Sequence, residues 1–161
     1  MSGSAVFAYS ALLDGKSVAL SKYTGLVTVI VNTASLCSFS AASLQQLTQL
    51  QREYGPRGVA VLGFPCAQFA NQEPKSREEL VEWAQARELN FPLFDKVQVK
   101  GPHAHPVFRM LQASLGPIRW NYTKFVCDHE GIPRVKLDAS CASEVLQRSV
   151  ARLCEPQRSA W

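Results

Sequence analysis

The 161-residue sequence has no apolar run long enough to cross a membrane as a helix. Such a helix needs about 20 consecutive apolar residues, and stretches such as residues 26–31 are far shorter. No charged-then-apolar signal peptide opens the chain, and its last residues match no targeting signal. We therefore expect a cytoplasmic protein, with targeting to an organelle left open.

Strong charge of either sign is also lacking. The formal net charge is +4, and the basic residues are spread along the chain rather than clustered. This distribution does not favour a nucleic-acid partner. A mild positive charge is more suited to acidic small molecules or to anionic membrane surfaces.

The cysteines lack the spacing of a disulfide framework or a metal site. They are five in number and irregularly spaced, without a Cys-x-x-Cys pair, which excludes a zinc knuckle and a thioredoxin-type dithiol. The three histidines also lack metal-ligand spacing. We expect free thiols in a reducing compartment, no metal and no bound cofactor. The cysteines are Cys37, Cys66, Cys127, Cys141 and Cys154.

The first half of the chain predicts a β-hairpin followed by a strand–helix–strand unit. Asp14-Gly15 is a strong turn signal between apolar residues 7–13 and 18–20. Residues 27–34 are β-branched and apolar on both faces, as in a buried parallel strand. Leucines at helical spacing predict a helix over 41–54, and residues 59–64 form a second buried strand. The two strands are expected to be parallel, with a right-handed crossover.

The second half predicts further helices and a second hairpin. Ser76 to Glu79 forms a capping box that opens a helix to about Glu88. A short strand at 91–94, a helix at 105–114, a hairpin of 125–128 with 133–137, and a last helix around 145–153 follow. This order of elements fits a three-layer α/β/α sandwich of the thioredoxin type, as one domain over residues 1–161.

Cys37 lies between the end of a predicted central strand and the start of a predicted helix. Active sites of open α/β sheets gather at that edge. A helix N-terminus offers free N–H groups and partial positive charge, which favour the nucleophilic thiolate. Position alone leaves the alternative of a small, inert core residue equally open.

Three segments resemble the signatures of the glutathione peroxidase family, in family order. Residues 32–37 resemble the segment around the peroxidatic residue, residues 63–74 the second signature and residues 120–125 the third. The similarity runs from about residue 7 to about residue 153. Three long motifs in order are far more specific than a single short pattern.

The resemblance implies a catalytic tetrad of Cys37 with Gln72, Trp120 and Asn121. The two amides and the indole N–H would supply hydrogen-bond donors to the thiolate and to the peroxide without adding acidity. Without the family, Gln72 would be interpreted as a loop residue and Trp120 as core. The sequence departs from the family pattern at three sites, where the common residues are glycine, asparagine and glycine: Ser38, Ala67 and Ala70.

The implied activity is reduction of hydrogen peroxide and organic or lipid hydroperoxides through a sulfenic acid on Cys37. The alternative is a redox relay that passes the oxidation to a partner protein. Some relatives carry selenocysteine at this position, and the sequence does not tell whether Cys37 replaces one.

Glutathione is the expected reductant, and thioredoxin is less favoured. The resolving cysteine of thioredoxin-dependent relatives would align with Gln85, so it is absent, and Cys66 is the fallback resolver. Three basic residues could attract the carboxylates of glutathione: Arg119, Lys124 and Arg134.

The chain is expected to be a monomer. Only residues 115–119 separate the predicted helix from Trp120, whereas tetrameric relatives carry a long insertion there. The resemblance is therefore to the smaller monomeric members, some of which act on phospholipid hydroperoxides. An uncovered site could contact a lipid membrane surface.

Overall fold

A two-stranded hairpin lies at the start of the computed structural model, which describes residues 5–155. Strand β1 (Ser10–Leu13) pairs antiparallel with β2 (Lys16–Ala19), with Asp14 and Gly15 in the left-handed turn that the sequence predicted. β1 begins later than expected, because Val6–Ala8 forms a 3-10 turn instead. The amides of Asp14 and Gly15 donate to the Asp95 carboxylate at 2.8 and 2.9 Å, which fixes the hairpin to the domain.

The main sheet has four strands in the order β4-β3-β5-β6. Its centre is β3 (Val27–Thr33), which is buried along its whole length and runs parallel to β4 (Val59–Pro65). Strand β5 (Lys124–Cys127) is antiparallel to β3, and β6 (Pro133–Leu137) is antiparallel to β5. The predicted parallel pair and second hairpin are both confirmed.

Helices cover both faces of this sheet. α1 (Ser40–Tyr54) and α4 (Ser143–Cys154) pack with Val29 and the other β3 residues that point to one face. α3 (Pro106–Leu115) packs with Ile30 on the other face. The side chains of β3 alternate between these two cores, as the period of a strand requires, so the three-layer arrangement is confirmed.

Side chains cap the starts of two helices, one of which the sequence predicted. α2 (Arg77–Ala86) begins with a complete capping box, in which Ser76 Oγ accepts from the Glu79 amide and Glu79 accepts from the Ser76 amide. At the start of α3, His105 Nδ1 accepts from the Val107 amide at 3.1 Å. His105 therefore caps α3, and Pro106 occupies its first position.

The short strand predicted at residues 91–94 is wrong. The segment makes one parallel bridge to β4, with the Gly63 amide donating to Pro92 O at 3.0 Å and the Phe94 amide donating to Gly63 O at 2.8 Å. Pro92 has no N–H, so this segment cannot extend the ladder along β4. The approach is close at Gly63, since a Cβ there would lie 2.6 Å from Cδ2 of Leu93 and would displace that side chain.

Three loops meet at one edge of the sheet. β3 and β4 both end there, and β5 begins there because it runs in the opposite direction. Backbone bonds tie the loops to β3: the Cys66 amide donates to Thr33 O at 3.0 Å, and the Tyr122 amide donates to Asn32 O at 2.7 Å. This edge brings together the three segments that the sequence singled out.

Candidate active site

Cys37 lies in the turn between β3 and α1, three residues before the helix begins. Its side chain is 5% exposed, and the Phe39 amide points at its sulfur at 3.4 Å. The Ser40 amide donates to the Cys37 carbonyl at 2.9 Å. The sulfur is therefore held beside a backbone N–H at a helix start, as the sequence predicted.

Gln72 and Asn121 are in direct contact. Asn121 Nδ2 donates to Gln72 Oε1 at 3.0 Å. Asn121 is fully buried, and its Oδ1 has no hydrogen-bond partner within residues 5–155. Because Oε1 of Gln72 is the acceptor in this pair, its Nε2 group is the part of the amide that can donate elsewhere.

Trp120 presents its ring at the surface while its backbone is fixed. The residue is 37% exposed, and its ring packs edge-on against Phe69 at 6.0 Å between ring centres. Its carbonyl accepts from Asn32 Nδ2 at 3.1 Å and from Thr123 Oγ1 at 3.0 Å. The indole is therefore accessible to a ligand on a rigid segment.

Backbone and side-chain bonds bring the predicted residues to one place. The Leu36 amide donates to Gln72 O at 3.0 Å, next to Cys37, and Gln72 in turn contacts Asn121 beside Trp120. In the described part of the chain the Cys37 sulfur accepts from the Phe39 amide rather than from Gln72, Trp120 or Asn121. The contacts that join these segments are therefore those of Gln72 with Leu36 and with Asn121.

Tyr122 supports the site, and sequence reasoning missed it. Its hydroxyl donates to Ala34 O at 2.8 Å and lies 3.1 Å from Ser40 Oγ, which ties the third loop to the Cys37 turn. Burial raises the pKa of the Tyr122 phenol to about 12, so it stays protonated. From the sequence, an aromatic residue next to Trp120 is expected to be a core residue. Its hydroxyl is the signal that could have indicated a hydrogen-bonding role.

The basic residues near the site differ from those expected. Lys124 is fully buried on β5, and burial lowers the pKa of its amine. Arg134 is bonded to Asp128 at 2.8 Å at the opposite end of the sheet. Neither is available to bind a carboxylate at the site. Arg119 is exposed beside Trp120 and is the one of the three that fits.

Three lysines that the sequence did not single out lie around the Gln72 loop. Lys75 Nζ donates to Ser35 Oγ at 3.0 Å, and Lys96 Nζ donates to the carbonyl of Glu73 at 2.9 Å. Lys100 Nζ lies 4.7 Å from the centre of the Phe69 ring. Lys75 and Lys96 are thus engaged in bonds around the Gln72 loop, and Lys100 is exposed beside Phe69.

Cys66 does not share a core with Cys37. Cys37 packs in the core beneath α1 and α4, whereas Cys66 is fully buried in the core on the α3 side. Burial raises the pKa of the Cys66 thiol, which disfavours its thiolate. All five cysteines are free thiols in the structure.

Neither a metal cluster nor a spanning helix is found in the part of the chain that the structure describes. Within residues 5–155, no group of three or more His, Cys, Asp and Glu side chains is arranged to hold a metal ion. Over the same residues, no helix is both long enough and apolar enough to cross a membrane.

Comparison with known proteins gives the chain a family. Residues 6–112 match the family model for glutathione peroxidase. A hydroperoxy fatty acid reductase of Synechocystis is 45% identical over 139 residues, which cover 78% of this chain and 82% of the relative. A probable phospholipid hydroperoxide glutathione peroxidase of Mesembryanthemum crystallinum is 44% identical over 123 residues, covering 73% of this chain and 72% of the relative. Relatives from Arabidopsis thaliana include chloroplastic and mitochondrial proteins.

Solved structures agree with the fold. The crystal structure of GPX1 from T. cruzi superposes with a TM-score of 0.77 at 28% identity, covering 93% of this chain and 96% of that one. A thioredoxin-family protein of Chlorobium tepidum has a TM-score of 0.71 at 15% identity, over 91% of this chain and 93% of that one, which shows the thioredoxin-like fold alone. The chain therefore belongs to the glutathione peroxidase family of oxidoreductases, which reduce hydroperoxides.

Proposed function

We propose that Cys37 is the peroxidatic nucleophile and that Gln72, Trp120 and Asn121 act on the bound hydroperoxide. The observation that carries this is the chain of contacts from Leu36 through Gln72 to Asn121, which joins three distant segments beside one buried thiol. These are the same three segments that resemble the family signatures.

The reaction begins with attack of the Cys37 thiolate on the terminal peroxide oxygen. A sulfur–oxygen bond forms, the oxygen–oxygen bond breaks, and the alkoxide leaves and takes up a proton to become the alcohol. The amide of Gln72 and the indole N–H of Trp120 stabilise the alkoxide as its charge develops. Two thiols then return the sulfenic acid to the thiol, releasing water and a disulfide.

Removal of the nucleophile tests the assignment. Cys37→Ser should abolish peroxide reduction, since a hydroxyl is not ionised at neutral pH. Gln72→Ala and Trp120→Phe should leave the fold intact and lower the rate by on the order of 10 to 1,000-fold per lost donor. Steady-state turnover with hydrogen peroxide measures both, with Cys154→Ser as a matched control at a distant thiol. A folded Cys37→Ser variant with the wild-type rate would refute the proposal.

Glutathione is the proposed reductant. Support comes from Arg119 and Lys100, which are exposed at this edge and whose positive charge suits a thiol that carries two carboxylates. Gln85 occupies the position of the resolving cysteine of thioredoxin-dependent relatives, and Cys66 packs on the opposite face of the sheet from Cys37.

Parallel assays with glutathione and thioredoxin test this choice. We expect turnover with glutathione, and mass spectrometry after peroxide treatment should show glutathione on Cys37 rather than a Cys37–Cys66 disulfide. Efficient turnover with thioredoxin through that disulfide would contradict the proposal. Rapid oxidation of Cys37 with negligible turnover by either thiol would favour the redox relay instead.

We further propose a monomer that accepts lipid hydroperoxides. Leu36 and Trp120 are 57% and 37% exposed next to Cys37, so the rim of the site is apolar and open to a bulky chain. The relatives' names include a hydroperoxy fatty acid reductase and phospholipid hydroperoxide peroxidases. The loop between α3 and Trp120 is too short to build a subunit contact of the tetrameric kind.

Two measurements test these properties. Light scattering at micromolar concentration should give the mass of one chain, and a stable tetramer would refute the monomer. Phosphatidylcholine hydroperoxide in detergent should be reduced as well as hydrogen peroxide. Activity on hydrogen peroxide alone would refute the lipid substrate.

The proposed location is a reducing compartment such as the cytoplasm. Five free thiols, three of them buried, suit such an environment. Fractionation of cells that produce the protein tests this, and recovery from an oxidising compartment would contradict it.

A further inference from the structure

Glu73 is a buried carboxylate with an ordered set of donors. Its side chain is 1% exposed. Oε1 accepts from the Ser35 amide at 3.0 Å, and Oε2 accepts from Ser35 Oγ at 2.7 Å and from the Lys75 amide at 3.4 Å. Burying a carboxylate costs free energy unless it is hydrogen-bonded in this way. The contact between Glu73 and Ser35 is therefore an ordered part of the candidate site.

The bonds of Glu73 connect the two loops that carry Cys37 and Gln72. Ser35 lies two residues before Cys37, and Glu73 follows Gln72 directly. Between these bonds, the Leu36 amide donates to Gln72 O at 3.0 Å. Three bonds between two successive residue pairs thus tie the segments, and one of the bonds is to the backbone of Gln72 itself.

Two lysines donate hydrogen bonds to Ser35 and Glu73. Lys75 Nζ donates to Ser35 Oγ at 3.0 Å, so the hydroxyl accepts from the lysine while it donates to the carboxylate. Lys96 Nζ donates to the Glu73 carbonyl at 2.9 Å. The backbone of Glu73 is therefore bonded directly by a lysine, whereas its carboxylate is linked to a lysine through the Ser35 hydroxyl.

The backbone conformation of the turn before Gln72 gives a reason for these bonds. Ala70 and Asn71 both have positive φ, 55° and 50°. Asparagine tolerates this region, but alanine is strained there, and such strain persists where the surrounding structure holds it. The bonds from Ser35 to Glu73 are the contacts that hold the segment immediately after this turn.

We propose that Glu73 is a positioning residue, whose carboxylate acts through Ser35 to fix the Gln72 amide relative to the Cys37 sulfur during attack on the hydroperoxide. The proposal rests on the function assigned to Cys37 and Gln72. A carboxylate only accepts hydrogen bonds, so it can take both donors of Ser35 at once. A glutamine at position 73 would turn an NH₂ group toward one of these donors.

The two reactions of Cys37 separate positioning from general structural support. Oxidation by a peroxide needs an aligned donor for the departing oxygen, whereas alkylation by iodoacetamide needs only an accessible thiolate. A change that misplaces Gln72 should slow the first reaction and spare the second. A change that merely loosens the fold should affect both.

The test compares Glu73→Gln and Ser35→Ala with Asp128→Asn in the full chain. Asp128 is a matched control, because it is also a buried carboxylate, 6% exposed, that accepts from the amides of Glu130 and Ile132 and from Arg134 at the far end of the sheet. Single-turnover oxidation by hydrogen peroxide is followed by trapping the sulfenic acid with dimedone, and alkylation is followed by mass spectrometry.

Glu73→Gln and Ser35→Ala should each oxidise about 10 to 100-fold more slowly, the range expected for a misplaced catalytic group. Their alkylation rates should stay within about twofold of wild type, because the thiolate itself is not removed. Asp128→Asn should change neither rate. Added to Gln72→Ala, Glu73→Gln should cause little further loss of oxidation rate, because both changes remove the same interaction.

Three outcomes overturn the proposal: a folded Glu73→Gln or Ser35→Ala variant that oxidises at the wild-type rate, a parallel fall in oxidation and alkylation, or full additivity with Gln72→Ala. If Glu73→Gln does not fold, Ser35→Ala carries the same test. Failure of the proposed function is distinct, since wild-type Cys37 itself would then not be oxidised at a peroxidase rate.

Discussion

Ala70 stands at a position where glycine is the less strained residue. Its φ of 55° lies in the left-handed region, which costs an L-residue about 1–2 kcal/mol. Glycine would remove this strain, but it would also raise the entropy of the unfolded chain, which destabilises the fold by about 0.4–1 kcal/mol. Ala70→Gly should therefore raise the free energy of unfolding by about 0.5–1 kcal/mol, measured by urea denaturation.

Ala67→Gly is the matched control for this prediction. Ala67 lies in the same loop, and its φ is not among the positive values, so glycine there should lower the free energy of unfolding. Equal effects of the two substitutions would show that backbone strain at Ala70 has no energetic weight.

Lys124 should lower the free energy of unfolding by an amount that depends on pH. It is fully buried, its Nζ has no hydrogen-bond partner within residues 5–155, and burial lowers the pKa of its amine. A lowered pKa means that the folded protein binds the proton less tightly than the unfolded chain, so between the folded pKa and the unfolded value of 10.5 stability rises with pH, and at lower pH the full cost remains. Lys124→Met should stabilise the protein at pH 7 by about 1–3 kcal/mol, and the gain should shrink as the pH approaches 10.5.

Urea denaturation of both proteins between pH 6 and about 10 checks this dependence. Lys16→Met, at an exposed position of β2, should change the free energy of unfolding little at any of these pH values. A gain for Lys124→Met that does not vary with pH would show that the buried amine stays charged.

For the candidate site, the sequence predicted mainly those residues to which the family motifs assign a role. Cys37 had a physical argument of its own, because a strand end and a helix start flank it. Gln72 and Asn121 were found through the family resemblance, since an amide in a loop carries no local pattern. Glu73 and Tyr122 lay inside the same motifs without an assigned role, because partners 38 and 88 residues away define their roles. Lys124 was misjudged because a lysine on a short strand is normally exposed.

At the scale of elements, a glutamine on α1 completes the edge strand β4. Gln51 Nε2 donates to Val59 O at 3.0 Å, and the Val61 amide donates to Gln51 Oε1 at 2.7 Å. These are backbone groups on the side of β4 that faces away from β3, where an edge strand is otherwise left unpaired. One amide side chain thus replaces the next strand at this point.

Gln51→Ala should lower the free energy of unfolding by about 1–3 kcal/mol, because it leaves half-buried backbone groups without partners. Gln49→Ala is the control, since Gln49 bonds only Glu53 on the exposed face of α1. Thermal unfolding of the two variants measures the difference. Equal melting temperatures would show that water satisfies β4 as well as Gln51 does.

The elements themselves followed from local patterns where those patterns were complete. The capping box at Ser76 and the turn at Asp14-Gly15 are fixed by residues within four positions of each other, and both were predicted correctly. The segment at 91–94 has the composition of a strand, but Pro92 limits it to one bridge. Its bridge to β4 is at Gly63, 30 residues earlier than Leu93, which the local pattern does not show.

At the scale of the whole molecule, buried phenol and thiol groups should make the stability of the fold fall at high pH. Burial raises the pKa of Tyr122 from 10.0 to about 12 and that of Cys127 from 9.0 to about 12. Between the unfolded and folded values the unfolded chain loses protons that the folded chain keeps, so stability is full below the unfolded pKa and falls as the pH rises toward 12. The decline should begin near pH 9 with Cys127 and steepen above pH 10 with Tyr122.

Tyr122→Phe separates the contribution of the phenol. The variant should be less stable than wild type at pH 8, because the bonds of the hydroxyl to Ala34 and Ser40 are lost, and this difference should narrow as the pH rises from 10 toward 12. Chemical denaturation at several pH values measures it. A difference that stays constant would show that the phenol does not stay protonated in the folded protein.

The three loops of the site are joined by contacts between residues far apart in the chain: Ser35 with Glu73, Gln72 with Asn121, and Ala34 with Tyr122 are separated by 38, 49 and 88 residues. Contacts of such separation form late in folding, because long loops must close before they are made. In a refolding experiment, helical signal should therefore return before peroxidase activity. During synthesis, which proceeds from the N-terminus, Cys37 emerges long before Asn121 and Tyr122 are available to enclose it. The nascent chain thus passes through a stage in which Cys37 is not yet enclosed, so we expect an oxidant present during synthesis to modify this thiol more readily than in the folded protein.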